Sequence, residues 1–235
     1  MYMQDTQDGR SMTTKLAITV PSRGRPHNLK RLAGALKNTC TGDYELLARI
    51  DADDPSRNAY LKLKDADITV GERVFFTLSL NELAQKALER GFTHLAILGD
   101  DVLPETVGWD VKMIDALNGK LGVVYGSDGL ENLHGPDLPT HVVLPVEMYK
   151  RLGWIGLPGS RHLFCDNAWR ELGKLTQFIY LKDVKLTHLH RWNKSAPDDQ
   201  TYKEANNKVK REQDRRAFEA WRDGEGLQKA RAALQ

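Results

Sequence analysis

Strand-like and helix-like segments alternate through the N-terminal half of this chain, and this alternation restricts the fold more than any other feature. Short apolar runs occupy Leu16–Val20, Tyr44–Ile50, Asp67–Val70 and Leu95–Leu98. Before the last of these runs, the segment Leu78–Arg90 carries apolar residues at helical spacing and is followed by a glycine. Strands that alternate with helices in this way predict an α/β fold with a parallel sheet.

The C-terminal half continues with less regular spacing. The pattern predicts helices over Trp109–Leu117 and Cys165–Leu172. Residues 126–139 are rich in Gly, Pro and Asp, which predicts a long loop. Further strands are predicted over Leu121–Tyr125, His141–Met148, Phe178–Tyr180 and Val184–Leu189.

Composition limits the class of protein. The chain has 235 residues, a net charge of +2 and 40% hydrophobic residues, which suits one domain with an extension and gives no strong overall field. Cys40 and Cys165 are far apart and fit a reducing compartment. No apolar run approaches the roughly 20 residues of a membrane span, and the polar start lacks a signal-peptide core. We therefore expect a cytoplasmic protein without a membrane partner.

Three segments follow from these patterns. Residues 1–14 are predicted to be a flexible tail, and residues 15–195 the main domain. Residues 196–235 are highly charged and helical in pattern, with Phe218 and Trp221 among their few apolar anchors. The default interpretation is a solvated helical extension packed on the domain. A basic surface that faces a substrate is the alternative.

Two adjacent acids, Asp100 and Asp101, follow the strand-like run that ends at Leu98. Neighbouring carboxylates at a strand end repel each other and are hard to keep ionised without a cation or hydrogen-bond donors. Ligands of open α/β sheets bind at that end of the strands. The sequence therefore suggests a nucleotide diphosphate held through a divalent metal, and a solvated acidic turn is the alternative.

The loop after the first strand contains Pro21, Ser22, Arg23 and Arg25. A strand, a loop and a helix N-terminus form a natural anion-binding site, to which the two arginines would add charge. An ordinary connecting loop with solvated arginines is equally compatible. Asn28 is a candidate cap of the helix that follows.

Other polar residues also stand near strand ends. Asp51, the first acid past the second strand, is well placed to accept hydrogen bonds from a base or ribose. His188 and His190 lie two residues apart on one face of a strand, a spacing that suits a shared ligand. Asn81, beside the apolar stripe of its helix, would be a cap or a surface amide in the plain interpretation.

The order of these motifs resembles a known family. V-P-S-R-G-R-P is followed by I-D-A-D-D, by S-L-N-E-L-A-Q-K-A-L-E-R-G-F-T-H-L-A-I-L-G-D-D, and then by P-V-E-M-Y-K-R-L-G-W-I and D-N-A-W-R-E-L. This set resembles the GT-A glycosyltransferases, especially the family 2-like group, over roughly Leu16 to Trp192. The finer resemblance is to small glycosyltransferases encoded by bacteriophages. It implies a Rossmann-like mixed sheet flanked by helices.

The resemblance implies roles for individual residues. Asp101 would bind the metal and Asp100 the ribose, although the chain has Gly-Asp-Asp where the family has D-x-D. His188 or His190 would complete the metal shell. Asp166 matches the catalytic base of inverting members, and Cys165 precedes it where the family often has a second acid. The implied nucleotide-sugar contacts are Pro21, Ser22, Arg23, Arg25, Asp51 (to the base), Asn81 and Asp100.

The implied activity is transfer of a sugar from a UDP- or GDP-sugar to an acceptor hydroxyl with Mn²⁺ or Mg²⁺ as cofactor. The acceptor stays open, with hydroxymethylated DNA and a protein among the candidates, and so does inversion or retention of configuration. A nucleotidyltransferase acting on a sugar phosphate is one alternative, weakened by the single glycine of the first loop. A nucleic-acid-binding module is another, weakened by the near-zero net charge.

Overall fold

The computed structural model of this chain describes residues 14–190, 195, 200–205 and 207–235. The tail predicted over residues 1–14 lies outside this part of the chain except for Thr14. The strands are β1 (Leu16–Pro21), β2 (Tyr44–Asp51), β3 (Asp67–Gly71), β4 (His94–Ile97), β5 (Val102–Pro104), β6 (Val123–Ser127), β7 (Val142–Pro145) and β8 (Phe178–His188). The helices are α1 (Pro26–Thr39), α2 (Arg57–Tyr60), α3 (Phe76–Glu89), α4 (Trp109–Leu117), α5 (Glu131–His134), α6 (Val146–Leu152), α7 (Cys165–Leu175), α8 (Gln200–Ala205), α9 (Lys208–Asp223) and α10 (Glu225–Leu234).

These strands form a mixed sheet in the order β3-β2-β1-β4-β7-β6-β8-β5. The pairs β1–β2, β1–β4 and β2–β3 are parallel, which confirms the parallel arrangement predicted for the N-terminal half. The antiparallel pairs are β4–β7, β6–β7 and β5–β8. The predicted α/β class with a mixed sheet and flanking helices is therefore confirmed.

A hydrophobic core lies on each face of the sheet because successive strand residues point to opposite sides. Leu16 and Ile18 pack in the core that α1 and α4 cover, whereas Ala17 packs in the core of α3, α6, α7, α9 and α10. Phe218 and Trp221 are 4% and 9% exposed within this second core, so α9 packs against the helices of this face of the sheet.

Three of the predicted strands differ from the structure. The strand predicted over His141–Met148 ends at Pro145, and α6 begins at Val146. Val146 and Tyr149 are both buried, as expected for two residues three apart on one face of a helix. Because the apolar strand runs directly into this helix, the sequence pattern does not show where the strand ends. The two strands predicted over Phe178–Tyr180 and Val184–Leu189 are one strand, β8, which is irregular where exposed Lys182 and Asp183 interrupt the apolar pattern.

Cys40 and Cys165 are both free thiols. Within the described ranges, none of the helices is both long and apolar enough to cross a lipid bilayer.

Candidate functional site

The carboxyl ends of β1, β2 and β4 meet at one edge of the sheet because these strands are parallel. Pro21 ends β1 and Asp51 ends β2, and Asp100 follows β4 after a two-residue gap. His188 reaches the same edge because β8 pairs with β5, which places it opposite Val102. Strand pairing therefore brings Pro21, Asp51, Asp100 and His188 to one edge of the sheet.

Asp100 is a buried carboxylate with neutral donors around it. The Ser22 hydroxyl donates to its Oδ2 at 2.5 Å, and the Asn28 amide donates to its Oδ1 at 3.4 Å. Ser22 also shares a hydrogen bond of 2.7 Å with the Tyr60 hydroxyl. Burial, and next the charge of Asp101, raise the pKa of Asp100. The prediction that Asn28 caps α1 is wrong, because the helix begins at Pro26 and Asn28 lies inside it.

Asp101 is a buried carboxylate held in the ionised form. Burial opposes its ionisation, but His188, Tyr202 and Arg25 together place the pKa of Asp101 below its ordinary value. The Tyr202 hydroxyl donates to Oδ2 at 2.8 Å, and His188 Nε2 lies 3.4 Å from Oδ1. The surroundings of these two adjacent acids thus shift their pKa values in opposite directions, upwards for Asp100 and downwards for Asp101.

Arg25 lies beside both carboxylates of this acid pair. Its Nη1 lies 3.4 Å from an oxygen of Asp100 and 3.4 Å from one of Asp101. The guanidinium stacks over the Tyr202 ring, 4.4 Å from the ring centroid. Charge-assisted hydrogen bonds are usually about 2.7–2.9 Å long, so Arg25 neutralises the two carboxylates incompletely.

Three imidazoles line the other side of Asp101. The rings of His188 and His190 are 5.0 Å apart, and His141 lies 4.9 Å from His188. The proximity predicted for His188 and His190 is confirmed. His141 was not expected; burial, and next the charge of His188, lower its pKa to about 3.

A second charged cluster surrounds Asp51. Arg49 Nη1 donates to Asp51 Oδ1 at 2.5 Å, and Arg23 Nη1 donates to Asp51 Oδ2 at 2.9 Å. Arg23 also pairs with Asp53 at 2.6 Å. The two arginines of the first loop therefore pair with different acids. Arg23 pairs with acids at the end of β2, and Arg25 lies next to the acids that follow β4.

Asn81 binds a loop rather than the acid pair. Its Oδ1 accepts the backbone N–H groups of Ile155 and Gly156 at 2.7 and 2.8 Å, and its Nδ2 donates to the Gly156 carbonyl at 3.1 Å. A methyl at Gly156 would collide with the backbone of Thr77, so this loop packs tightly on α3. The donor contact predicted for Asn81 stays a prediction, while the structure uses its amide to hold the loop.

Asp166 lies in the first turn of α7, where its Oδ1 accepts the Asn167 N–H at 2.8 Å. Burial raises the pKa of Asp166, against the opposing charges of His134 and Arg170. His134 is in turn held by Asp128, whose Oδ2 is 2.9 Å from His134 Nε2. A carboxyl whose pKa is raised by burial is a candidate for proton transfer.

The residues at Asp101 fit a divalent cation. Two ligands that each lie about 2.1 Å from one ion at right angles are about 3 Å apart. Asp101 Oδ1 and His188 Nε2 are 3.4 Å apart, close to this spacing. Within the part of the chain that the structure describes, no three His, Cys, Asp or Glu side chains are grouped as ligands of one ion. The chain thus offers two ligands, which suits a cation whose remaining shell is water and substrate phosphate.

Several side chains of this site carry no signal in the sequence. Tyr60 follows an Asp-Asp-Pro turn, and Tyr202 lies in the charged extension, so nothing local connects either to the acid pair. Tyr202 shows that the site extends beyond residues 15–195. His141 stands directly before β7, and this position is the one feature of the sequence that could have pointed to a role for it in the site.

No protein-family sequence model matches the chain, and no curated protein sequence matches it significantly. Its structure is similar to that of the mannosyltransferase PcManGT from Pyrobaculum calidifontis in complex with GDP-Man and Mn²⁺, with a TM-score of 0.61 and 13% identity over 95% of this chain and 74% of that one. It is also similar to S. aureus TarS 1–349 in complex with UDP, with a TM-score of 0.55 and 14% identity over 74% of this chain and 59% of that one. At such identities the likeness establishes the fold. The chain has the GT-A fold of glycosyltransferases, and it spans less than two thirds of the TarS fragment.

Proposed function

We propose that this protein is a metal-dependent glycosyltransferase that moves a sugar from a UDP- or GDP-sugar to an acceptor hydroxyl. The observation that carries the proposal is the convergence of Arg25, Asp100, Asp101 and His188 at the carboxyl edge of a GT-A sheet. The GDP-Man and Mn²⁺ in PcManGT and the UDP in TarS support this donor chemistry.

Asp101 and His188 would hold a Mn²⁺ or Mg²⁺ ion, and His190, whose ring lies 5.0 Å from that of His188, is the alternative imidazole ligand. An imidazole ligand favours Mn²⁺ over Mg²⁺. When bound, the cation would neutralise the negative charge that develops on the leaving diphosphate. A positive charge near Asp100 also favours its ionised form, so metal binding should release protons.

Ser22, Arg25 and Asp100 would bind the diphosphate and ribose part of the donor. Arg25 lies 3.4 Å from both carboxylates, so its guanidinium stands beside the place proposed for the diphosphate, which a planar guanidinium can bind through two oxygens. Asp100 would accept a ribose hydroxyl once ionised. Pro21, which ends β1, fixes the direction of the chain into this loop.

Asp51 would accept an N–H group of the nucleobase. Arg49 and Arg23 hold one oxygen each, which orients the carboxylate at the end of β2. Each oxygen retains a further lone pair for a ligand.

Asp166 would take the proton of the acceptor hydroxyl. Its raised pKa makes it a better proton acceptor than an ordinary aspartate once it is ionised. General base help of this kind contributes about 10²- to 10⁴-fold. We keep hydroxymethylated DNA and a protein as candidate acceptors.

A thermal-shift screen of UDP- and GDP-sugars with and without Mn²⁺ tests the proposal. A donor present at 100 times its Kd should stabilise the folded protein by about 2.7 kcal/mol, and removal of Mn²⁺ with EDTA should reduce this effect. Turnover should release a nucleoside diphosphate, whereas a nucleotidyltransferase would release pyrophosphate. Failure of every nucleotide sugar to shift the unfolding temperature would contradict the proposal.

A further inference from the structure

The loop between α6 and α7 leads directly into Asp166, and a buried acid of the C-terminal extension holds it. Three consecutive backbone N–H groups, those of Arg161, His162 and Leu163, donate to the Asp214 carboxylate at 2.7, 3.0 and 2.9 Å. Asp214 lies within α9 and is 1% exposed. A buried carboxylate that accepts three amide donors is a strong, directional anchor.

The opposite side of the same loop is fixed by α3. The Thr77 hydroxyl donates to the Ser160 carbonyl at 2.6 Å, and the Thr77 N–H donates to the Arg161 carbonyl at 3.3 Å. The loop is therefore held between α3 and α9. Because both sides are fixed, the direction in which α7 starts is fixed as well.

The residue between this loop and α7 has an unfavourable backbone conformation. Phe164 has a φ of 70°, in the left-handed region that side chains other than glycine rarely adopt. Its ring stacks on Phe218 of α9, with the centroids 5.8 Å apart and an angle of 17°. Such a conformation persists only where the surroundings impose it. Asp214 and Phe218, one helical turn apart on α9, impose it here.

The charges of the site also act on the held loop. Burial lowers the pKa of His162, and after Asp214 the next charges that act on its imidazole are those of Asp101 and Arg25. The same loop leads directly into α7, the helix that carries Asp166. A shift of this loop would change the distance between the donor and the base.

We propose that Asp214 is a positioning residue, which fixes residues 161–163 and thereby aims Asp166 at the acceptor hydroxyl. This inference rests on the proposed function, in which Asp166 is the base. In this role Asp214 acts through the loop and does not touch the substrate. A misplacement of about 1 Å in a reacting group can cost about 10²-fold in rate.

The test compares Asp214→Asn with Glu212→Gln, both on α9. Asp214→Asn keeps the shape but places an amide group against backbone N–H donors. Glu212, by contrast, has a side chain that is 41% exposed and pairs with Arg215 and Arg216. We expect Asp214→Asn to lower kcat about 10- to 100-fold while the Kd of a UDP- or GDP-sugar in Mn²⁺ stays within twofold of wild type. Glu212→Gln should match wild type in both. Equal kcat in the two variants would overturn the proposal.

Hydrogen exchange provides a readout that does not depend on activity. In Asp214→Asn the amides of residues 161–167 should exchange at least tenfold faster than in Glu212→Gln; equal exchange would show that Asp214 does not hold the loop. If the wild-type protein uses no nucleotide sugar, the proposed function fails, and this comparison still decides the role of Asp214. If Asp214→Asn does not fold, Phe218→Leu replaces it, with the same expected loss of kcat and the same contradicting result.

Discussion

The carboxyl edge of the sheet and the loop 155–164 both fix charged side chains, but they do so in different ways. At the edge, Asp51, Asp100 and Asp101 stand at or just after strands, and their directions follow from strand pairing. The loop has no strand, and its backbone is held by Asn81, Thr77 and Asp214 from two helices. The edge can therefore rearrange around a ligand without unfolding, whereas the loop keeps its shape only while its side-chain anchors remain.

Removal of Asp101 should produce the largest effect, because it deletes the proposed metal ligand from the edge. We expect Asp101→Ala to lower the transfer rate about 10³-fold, which is the upper end of the loss seen when one charge-stabilising group is removed. The same variant should lose Mn²⁺-dependent donor binding. Initial rates and donor titrations measure both. Asp115→Asn, an exposed change on α4, is the control. Mn²⁺-dependent turnover at the wild-type rate in Asp101→Ala would remove the metal assignment.

Removal of the acid beyond the loop should separate binding from chemistry. We expect Asp166→Asn to retain the wild-type donor Kd and to lose about 10²- to 10⁴-fold in transfer rate. Because burial raises the pKa of Asp166, wild-type kcat should fall with decreasing pH at a higher pH than an ordinary aspartate would give. Full activity in the variant would mean that the base is elsewhere or that the enzyme retains configuration. The anomer of the product, identified by NMR, distinguishes these two cases.

The acid pair also depends on the glycine that precedes it. A Cβ at Gly99 would lie 2.5 Å from Asp101 Oδ1, so Gly99→Ala must displace that carboxylate. We expect about a tenfold loss of Mn²⁺ affinity, as for disturbed orientation of a metal ligand. In Gly34→Ala the new methyl meets nothing within 4 Å, and Mn²⁺ affinity should not change. Calorimetric titration with Mn²⁺ compares the two, and equal affinities would mean that Asp101 does not bind the ion.

A smaller effect concerns stability and pH. The folded protein raises the pKa of Asp166, so protonated Asp166 favours folding, and this contribution is lost as pH rises through the raised pKa. At a pH above the raised pKa, Asp166→Asn should be more stable than wild type. We expect its free energy of unfolding to be higher by roughly 0.5–2 kcal/mol, the range of typical stabilising substitutions. Urea unfolding at pH 4 and pH 7 measures the difference. A wild-type advantage that grows with pH would contradict the assigned direction.

The same comparison explains what the sequence could reveal. Most of the strands, the acid pair and the proximity of His188 to His190 were predictable because local hydrophobic patterns and spacing encode them. Asn28, predicted as a cap, instead donates to Asp100, because the helix begins earlier, at Pro26. The anchoring of residues 161–163 by Asp214 joins positions more than 50 apart in the chain, and no local pattern encodes such a contact.

The most direct measurement is a crystal grown with Mn²⁺ and UDP or GDP, with anomalous diffraction recorded at the manganese edge. The account predicts one anomalous peak within about 2.3 Å of an Asp101 oxygen and of an imidazole nitrogen of His188 or His190, with the diphosphate on its other side. A nucleotide bound elsewhere, or a manganese peak away from Asp101, would contradict it.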